Sequence, residues 1–441
     1  MVGDADGCRY LLPVIISFRG VQSAANLRCT RRTPETPPRS FSLCCHPGDI
    51  LTVESLEALL SDEGRALLER LSGEDPVVAD SIRQGSSLRA QFSPELVTAA
   101  LTQHELRRAA ESKFSKSRPD VVHPSRPGAG IRRSGVSLSS PRFAGLGHLA
   151  DLCTGIGGDL ISIAGQGETL TVDLDEVHLR MAVLNAEVYG VATGVRAVRA
   201  DVRSVDLAGI DGVFVDPARR SGGRRLRTGR SEPPLGWCLG LAQVVPAVGI
   251  KLAPGLDRDA VPPGWELELL ADGRDLKEAV AWSPALATAT RRATILPGGH
   301  TLTPGDGAPV SVRPPGGFLL DPNPAVTRAG LVEQLAQATG CWKIDDQIAF
   351  LSADQPVRTP FARTLRVIES APWKEKQLAD RLRALNIGAV DIRRRGLAGD
   401  VVELHRRLKL RGTRRTTLVM TRMLNQPWSL ICVDADQPVP G

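Results

Sequence analysis

Glycines at 155, 157 and 158 follow a short apolar run that ends in Asp151, and Leu160 to Ala164 reads as the opening of a helix. Strand, glycine turn and helix in that order make a nucleotide-type site, because glycine lets the backbone come close to a ligand. Asp173 falls about twenty residues past the turn, at the end of a second apolar run. A carboxylate there can accept hydrogen bonds from both hydroxyls of a ribose. The two features also suit an NAD site, but Thr154-Gly-Ile-Gly-Gly158 lacks the G-x-G-x-x-G spacing, which counts against a dinucleotide. A tight turn that happens to hold glycines is the plain alternative.

A third cluster begins at Asp216-Pro217-Ala218-Arg219, again at the end of an apolar run, with Arg220, Arg224, Arg225, Arg227 and Arg230 close behind. Arginines crowded beside a reacting centre suit a phosphate-bearing substrate. A solvated charged loop fits the same text. Lys251 ends the next run, where it either touches substrate or caps the strand in water. Cys238 sits in the helical context Trp237-Cys-Leu-Gly-Leu-Ala and reads as a small buried hydrophobe. The eight cysteines form no spaced pair that suggests a zinc site. No metal is expected, and the cysteine usage points to a reducing, cytoplasmic setting.

Short apolar runs alternating with helical stretches must position these residues. The runs are His148 to Asp151, Leu170 to Asp173, Val195 to Ala200, Gly212 to Asp216 and Ala247 to Lys251, with Ala279 to Trp282 and Arg292 to Leu296 as closing edge strands. Such alternation implies βαβ units and a mostly parallel, doubly wound sheet. Upstream, Leu56, Leu60, Leu67 and Leu71 recur at helical spacing, and Ser93-Pro94-Glu95 offers a cap, a first-turn proline and a first-turn acid for a second helix. Downstream, helices are expected around Leu378–Leu385 and Val401–Leu408, and strands at Thr417–Met420 and Leu430–Val433.

At 441 residues the chain has room for two or three domains, and a net charge of +6 matters only through where it is concentrated. The expected boundaries are a disordered tail over 1–48, a helical N-terminal domain over 49–114 and an irregular linker over 115–147. A catalytic sheet over 148–300, a Pro/Gly-rich linker over 301–317 and a C-terminal α/β domain over 318–441 complete the order. The run Leu11 to Phe18 is interrupted by Pro13 and lacks a strongly basic flank, so it does not read as a signal peptide. No apolar run approaches the ~18–20 residues a bilayer requires, so no membrane partner is expected.

As a series, the clusters say more. Asp151-x-Cys153-x-Gly155-x-Gly157, Val172-Asp173-x-Asp175, Ala200-Asp201 and Val215-Asp216-Pro217-Ala218-Arg219 resemble, in order and at family-like spacing, four motifs of the class I S-adenosylmethionine-dependent methyltransferases. Leu179-x-Met-Ala-x-x-Asn185-Ala is similar to the helix after the second strand in RNA-modifying members. The resemblance covers about residues 146–300 and implies a Rossmann-like α/β sheet with S-adenosyl-L-methionine as cofactor. It implies that Asp151 and the backbone from Cys153 to Gly158 contact the methionine moiety, that Asp173 holds the ribose, and that Asp201 meets the adenine amine beside Val202. Cys153 stands where many members have glycine.

The resemblance makes Asp216, Pro217 and Arg219 the catalytic group. In amino-N methyltransferases a similar Asn/Asp-Pro-Pro motif ends in an aromatic that stacks on the base. Arg219 and Arg220 stand there instead. Asp-Pro-Ala-Arg looks more like the turn of RNA uracil-C5 methyltransferases, but their Ser-Cys-Asn-Pro nucleophile tetrapeptide does not occur.

A second resemblance covers about 318–435. Leu320-Asp321-Pro322, the basic Arg393-Arg394-Arg395-Gly396 turn, and His405-Arg-Arg-Leu-Lys409 followed by Thr421-Arg422 look like the THUMP-like domain that follows such a methyltransferase domain in bacterial proteins. Between 393 and 422 only Asp400 and Glu403 oppose the basic residues, which makes a phosphate-binding face. The expected function is therefore methyl transfer to RNA, with the C-terminal domain presenting the substrate. A methyltransferase of a small molecule or protein, and a non-catalytic RNA-binding protein that keeps the fold, are the alternatives.

Overall fold

The computed structural model describes residues 52–73, 87–114, 140–218, 220–221, 224–225 and 231–436. The expected tail over 1–48 and most of the expected linker over 115–147 lie outside the described residues. The chain divides into two compact units, Met1–Lys251 and Leu252–Gly441.

Among the described residues, the first unit opens with the helices α1 (Val53–Leu60), α2 (Asp62–Gly73) and α3 (Pro94–Phe114). The leucine spacing that suggests one helix over 56–71 is broken at Ser61, whose backbone turns extended at ψ 163°. The Ser61 hydroxyl accepts from Gly64 N at 3.1 Å and so opens α2 as α1 ends. Gly64 has no alternative there, because a Cβ would lie 2.2 Å from the Ala58 carbonyl oxygen. The helix expected at Ser93 forms as read, with Leu96 N donating to Ser93 Oγ at 3.2 Å. Leu59, Leu67, Leu71, Leu88 and Val97 bury one another. Leu56 points elsewhere, into a cluster with Met181, Leu184 and Ile156. The helical segment is thereby tied to the glycine turn, and Arg180 Nε to Glu57 Oε1 at 2.5 Å adds a surface pair.

The sheet of this unit is β5-β4-β1-β2-β3, all parallel, from β1 (His148–Leu152), β2 (Glu168–Asp173), β3 (Val195–Arg199), β4 (Gly212–Val215) and β5 (Ala247–Leu252). Strand order reverses between β1 and β4, and ligands of such sheets sit beyond the strand carboxyl ends at that reversal. Helices α4 (Leu160–Ile163), α5 (Glu176–Val188) and α6 (Leu235–Gly240) complete the unit. Just before β1, a single 3-10 turn over Ser140–Phe143 buries Phe143 completely, edge-on to Phe214 at 6.5 Å. Gly212 leaves room for it, since a Cβ there would lie 2.8 Å from the Phe143 ring.

The second unit holds two sheets. One has the order β9-β8-β6-β7, from β6 (Glu266–Asp272), β7 (Asp275–Trp282), β8 (Arg291–Leu296) and β9 (His300–Leu302). β6 and β7 form an antiparallel hairpin across Gly273-Arg274, and α7 (Pro324–Ala329) packs on β6 and β8. The other runs β11-β12-β10-β13-β16-β15-β14, from β10 (Phe318–Pro322), β11 (Trp342–Lys343), β12 (Leu351–Ala353), β13 (Ala362–Pro372), β14 (Ile387–Arg394), β15 (Arg414–Met423) and β16 (Gln426–Asp434). Only β14 and β15 pair in parallel. Helices α8 (Val332–Thr339), α9 (Glu375–Ala384) and α10 (Val401–Leu408) complete the order. Leu418 and Met420 of β15 meet Leu378, Leu382, Leu404 and Leu408 of α9 and α10. Val419 between them joins Leu319, Phe350 and Leu365 on the opposite face. Side-chain alternation along one strand thus supplies two cores.

Candidate active site

The glycine turn is a left-handed bend held on three sides. Cys153, Gly155 and Gly157 have φ of 60°, 57° and 85°, a region that glycine enters without penalty. Gly157 is needed twice over, because a Cβ there would lie 2.9 Å from Ala182 Cα on α5. Gly155 and Gly158 differ: a Cβ on either would meet nothing within 4 Å. The turn accordingly faces α5 at Gly157 and open space at the flanking glycines. Asn185 Nδ2 on α5 donates to the Ile156 carbonyl at 2.8 Å, and Thr154 N donates to Val172 O at 3.1 Å. Asp173 completes the clamp, its two oxygens accepting from Gly155 N at 2.8 Å and Asp175 N at 2.9 Å.

Carboxylates converge at the carboxyl edges of β1 and β4. Asp151 is 1% exposed and Asp159 7%. Thr154 donates its hydroxyl to Asp151, and Thr171 donates to Thr154 at 2.6 Å. Lys251 Nζ lies 3.0 Å from Asp159 and 3.6 Å from Asp216, with its side chain 16% exposed. One ammonium therefore bridges two acids, Asp159 and Asp216, beside a third, Asp151. Burial, reinforced by the charge of Asp159, pushes the Asp151 carboxyl well above the usual carboxylate range. Asp151 Oδ1 and Asp159 Oδ1 are buried without a hydrogen-bond partner. Buried carboxylate oxygens left unpaired are costly, and among the described residues no group donates to these two.

Asp201 behaves differently. It is half-buried, its carboxylate accepts from Arg203 Nε at 3.0 Å and Nη2 at 2.7 Å, and these bonds pull its pKa down. Arg203 also pairs with Glu232 at 2.9 Å, and Val202 beside it is buried. Pro217 is buried behind Asp216, and Ala218 bridges to Glu232. Arg219 lies outside the described residues, as do the side chains of the arginines that follow it up to Arg230. Cys153 is half-buried, and desolvation followed by the charge of Asp173 raises its thiol pKa, so it lines the turn as a neutral group. Cys238 is fully buried on α6 with its thiol pushed up to about 12, which fits a packing residue and not a nucleophile.

The structure thus brings Asp151, Cys153, the glycines and Asp173 together around one bend, and sets Asp216 beside them through Lys251. Sequence reading missed Asp159 and Thr154 and left Lys251 open. The sole local hint was that Asp159 closes the glycine segment and Lys251 ends an apolar run. Their meeting depends on strand order.

Comparisons with known proteins bear on the same residues. Uncharacterized S-adenosylmethionine-dependent methyltransferases from two strains of Mycobacterium tuberculosis are each 38% identical over 258 residues, covering 57% of this chain and 70% of theirs. The chain belongs to the S-adenosylmethionine-dependent methyltransferases. Within it, residues 147–227 match the family model for RNA cap guanine-N2 methyltransferases, and residues 362–433 match the THUMP domain-like model. The helices over 52–110 match a domain of unknown function. A candidate methyltransferase from Porphyromonas gingivalis, solved by crystallography, shares the fold at a TM-score of 0.63 and 20% identity, over 84% of this chain and 98% of its own.

The enzyme is therefore a class I methyltransferase with a C-terminal THUMP-like region, and its cofactor is S-adenosylmethionine. The residues present suit that molecule. Its sulfonium and ammonium match a turn flanked by buried carboxylates with two unpaired oxygens. The open faces of Gly155 and Gly158 leave space for it. Among the described residues no helix is long and apolar enough to cross a membrane.

Proposed function

We propose that this methyltransferase modifies RNA. The observation that carries the reading is the match of residues 147–227, the stretch with the glycine turn, Asp173, Asp201 and Asp216, to a model of RNA-modifying enzymes. The THUMP domain-like match over 362–433 and the basic balance of the chain support it. Its work would lie in the cytoplasm, where RNA and a reducing setting for its cysteines coincide.

In this reading Asp151 and the backbone from Cys153 to Gly158 hold the methionyl part of the cofactor, with Asp151 ionised once a cation sits beside it. Asp173, already oriented by two backbone amides, keeps a lone pair on each oxygen for the ribose hydroxyls. Asp201 shares its carboxylate between Arg203 and the adenine amine. The bound cofactor supplies a methyl group already activated on sulfur. What remains for the protein is positioning and proton removal. Asp216 accepts the acceptor's proton, Lys251 fixes that carboxylate from 3.6 Å while anchored on Asp159, and Pro217 rigidifies the turn. Arg219 holds a phosphate of the substrate.

Mass spectrometry of nucleosides in RNA from cells with and without the protein tests this directly. We expect one methylated nucleoside to disappear on deletion and to return with the wild-type chain but not with Asp216→Ala. An unchanged profile, with S-adenosylmethionine binding intact in the purified protein, would reject RNA as the substrate.

A further inference from the structure

In the second unit, the β6–β7 hairpin and the end of β14 open onto a cavity of about 650 Å³. Four arginines line it, Arg274, Arg393, Arg394 and Arg395, against three aspartates. Two of those aspartates are already spoken for. Asp321 is 3% exposed and accepts from Arg274 at 2.6 Å and Arg395 at 3.0 Å. Asp275 is held by Lys277 at 2.5 Å. One buried carboxylate thus fixes two guanidiniums in place without neutralising both.

The other two arginines are no better satisfied. Arg393 shares Asp391 with Arg363, at 3.2 Å and 3.4 Å, and its Nε is buried with no acceptor. Arg394 donates to the Gly399 carbonyl, a neutral group, and is exposed. The Arg395 guanidinium carbon lies over the Phe350 ring, 5.2 Å from its centroid, a cation–π contact that helps to hold it. Desolvation, joined by the repulsion of Arg393, Arg363 and Arg395 and opposed by Asp321, pulls the Arg274 pKa down. Planar donors that are pre-positioned, mutually repelling and short of acceptors suit a phosphate, which takes two guanidiniums at once.

We propose that this cleft binds a backbone phosphate of the RNA substrate. The proposal rests on the RNA reading above and adds the residues that would give the second unit its affinity. It differs from the basic surface of α9 and α10, where Arg381 pairs with Glu369, Arg383 with Asp380, Arg406 with Glu403 and Arg407 with Glu375.

The test is binding of a fluorescent 30-nucleotide mixed-sequence RNA hairpin to the full chain, measured by anisotropy across a salt series. Arg393→Gln/Arg394→Gln removes two cleft donors and leaves the Asp321 pair intact. Arg358→Gln/Arg406→Gln removes the same charge from the exposed surface. We expect the cleft variant to lose about tenfold in affinity at physiological salt and to flatten the slope of log K against log salt by about 1–2, with the surface variant within about threefold of wild type. Melting temperature is read alongside, and Arg394→Gln alone, which breaks no ion pair, repeats the test if the double variant is unstable. Equal losses in the two variants, or no loss in the cleft variant, would overturn the cleft and leave the RNA reading standing. Calorimetric binding of pyrophosphate that vanishes in the cleft variant, beside unchanged RNA affinity, would overturn it in favour of a free-phosphate site. Wild-type protein that binds S-adenosylmethionine but no RNA would remove both readings together.

Discussion

The glycine turn of the first unit and the arginine cleft of the second invert one another. Around the turn, Asp159 and Asp216 share the ammonium of Lys251, with buried Asp151 beside them. In the cleft, Arg274 and Arg395 share the single carboxylate of Asp321. In each place one shared counter-charge orients two groups of the opposite sign, and each place leaves polar atoms unpaired. Surplus carboxylate calls for a cation, and surplus guanidinium calls for an anion. A sulfonium cofactor and a polyanionic substrate are such a pair. The two places also differ in construction. Both lie where strands end, but the turn comes largely from residues close in sequence, and the cleft joins segments more than a hundred residues apart.

The largest effect should come from untying the turn. Asp173→Ala removes two charge-assisted bonds to backbone amides together with the ribose acceptor, and each such bond is worth about 1.5–3 kcal/mol. Calorimetry should show S-adenosylmethionine affinity reduced by more than about 100-fold, with RNA affinity unaffected. If the cofactor still binds within tenfold of wild type, Asp173 is not the ribose residue.

Next comes Lys251→Met. It leaves Asp159 and Asp216 without their shared cation, so cofactor binding should hold or tighten while turnover falls by about 10²–10⁴-fold, the range for a lost acid–base arrangement. Lys251→Arg should restore part of the turnover. Parallel losses in cofactor affinity and turnover would make Lys251 a binding residue, and the division between cation site and proton acceptor would fail.

How legible each place was follows from that construction. The turn could be read because Asp151, the glycines and Asp173 lie within one strand–turn–helix–strand passage, so spacing alone reports their proximity. Lys251 and Asp159 are 92 positions apart and meet only because β4 and β5 follow β1 in the sheet. The cleft was half visible. Arg393 to Arg395 stood out as a basic turn, but they end a strand, and Asp321 and Asp391, which oppose them, lie outside the basic window. Strand β6 was missed because Glu-Leu-Glu-Leu suggests outward carboxylates. Glu266 and Glu268 are instead buried, held by Arg292 at 2.7 Å and the Trp282 indole at 2.8 Å. A charge pattern misleads wherever acids are buried with partners supplied by other strands.

Neighbouring glycines separate folding from binding within the turn itself. Gly157→Ala forces a Cβ to 2.9 Å from Ala182 Cα at a φ of 85°. Overpacking and left-handed strain together should cost about 2–4 kcal/mol, read as a lower denaturant midpoint. Gly158→Ala meets nothing within 4 Å, so stability should change by less than about 0.5 kcal/mol while cofactor affinity falls. Equal destabilisation of the two would mean that the face at Gly158 is not open to a ligand.

The smallest effect is the most diagnostic of the surplus carboxylate. The Asp151 carboxyl is raised by burial and by Asp159, so the folded state holds its proton more tightly than the unfolded chain does. Stability from this group is therefore fully present below the ordinary carboxylate pKa and is lost as pH rises through the folded value. At neutral pH the unfolded chain ionises this group freely and the folded state does not, a cost that Asp151→Asn removes. Without ligand, the variant should melt about 2–4 °C above wild type at pH 7, equivalent to about 1 kcal/mol, and the gap should close as pH falls towards 4. S-adenosylmethionine should reverse the order, because its positive charge compensates the acid of the wild type and has no counterpart in the amide. Thermal melts from pH 4 to 8, with and without the cofactor, read both effects. A variant that melts below wild type at neutral pH without ligand would show that Asp151 is already compensated by the protein, and the turn would no longer be the cationic counterpart of the cleft.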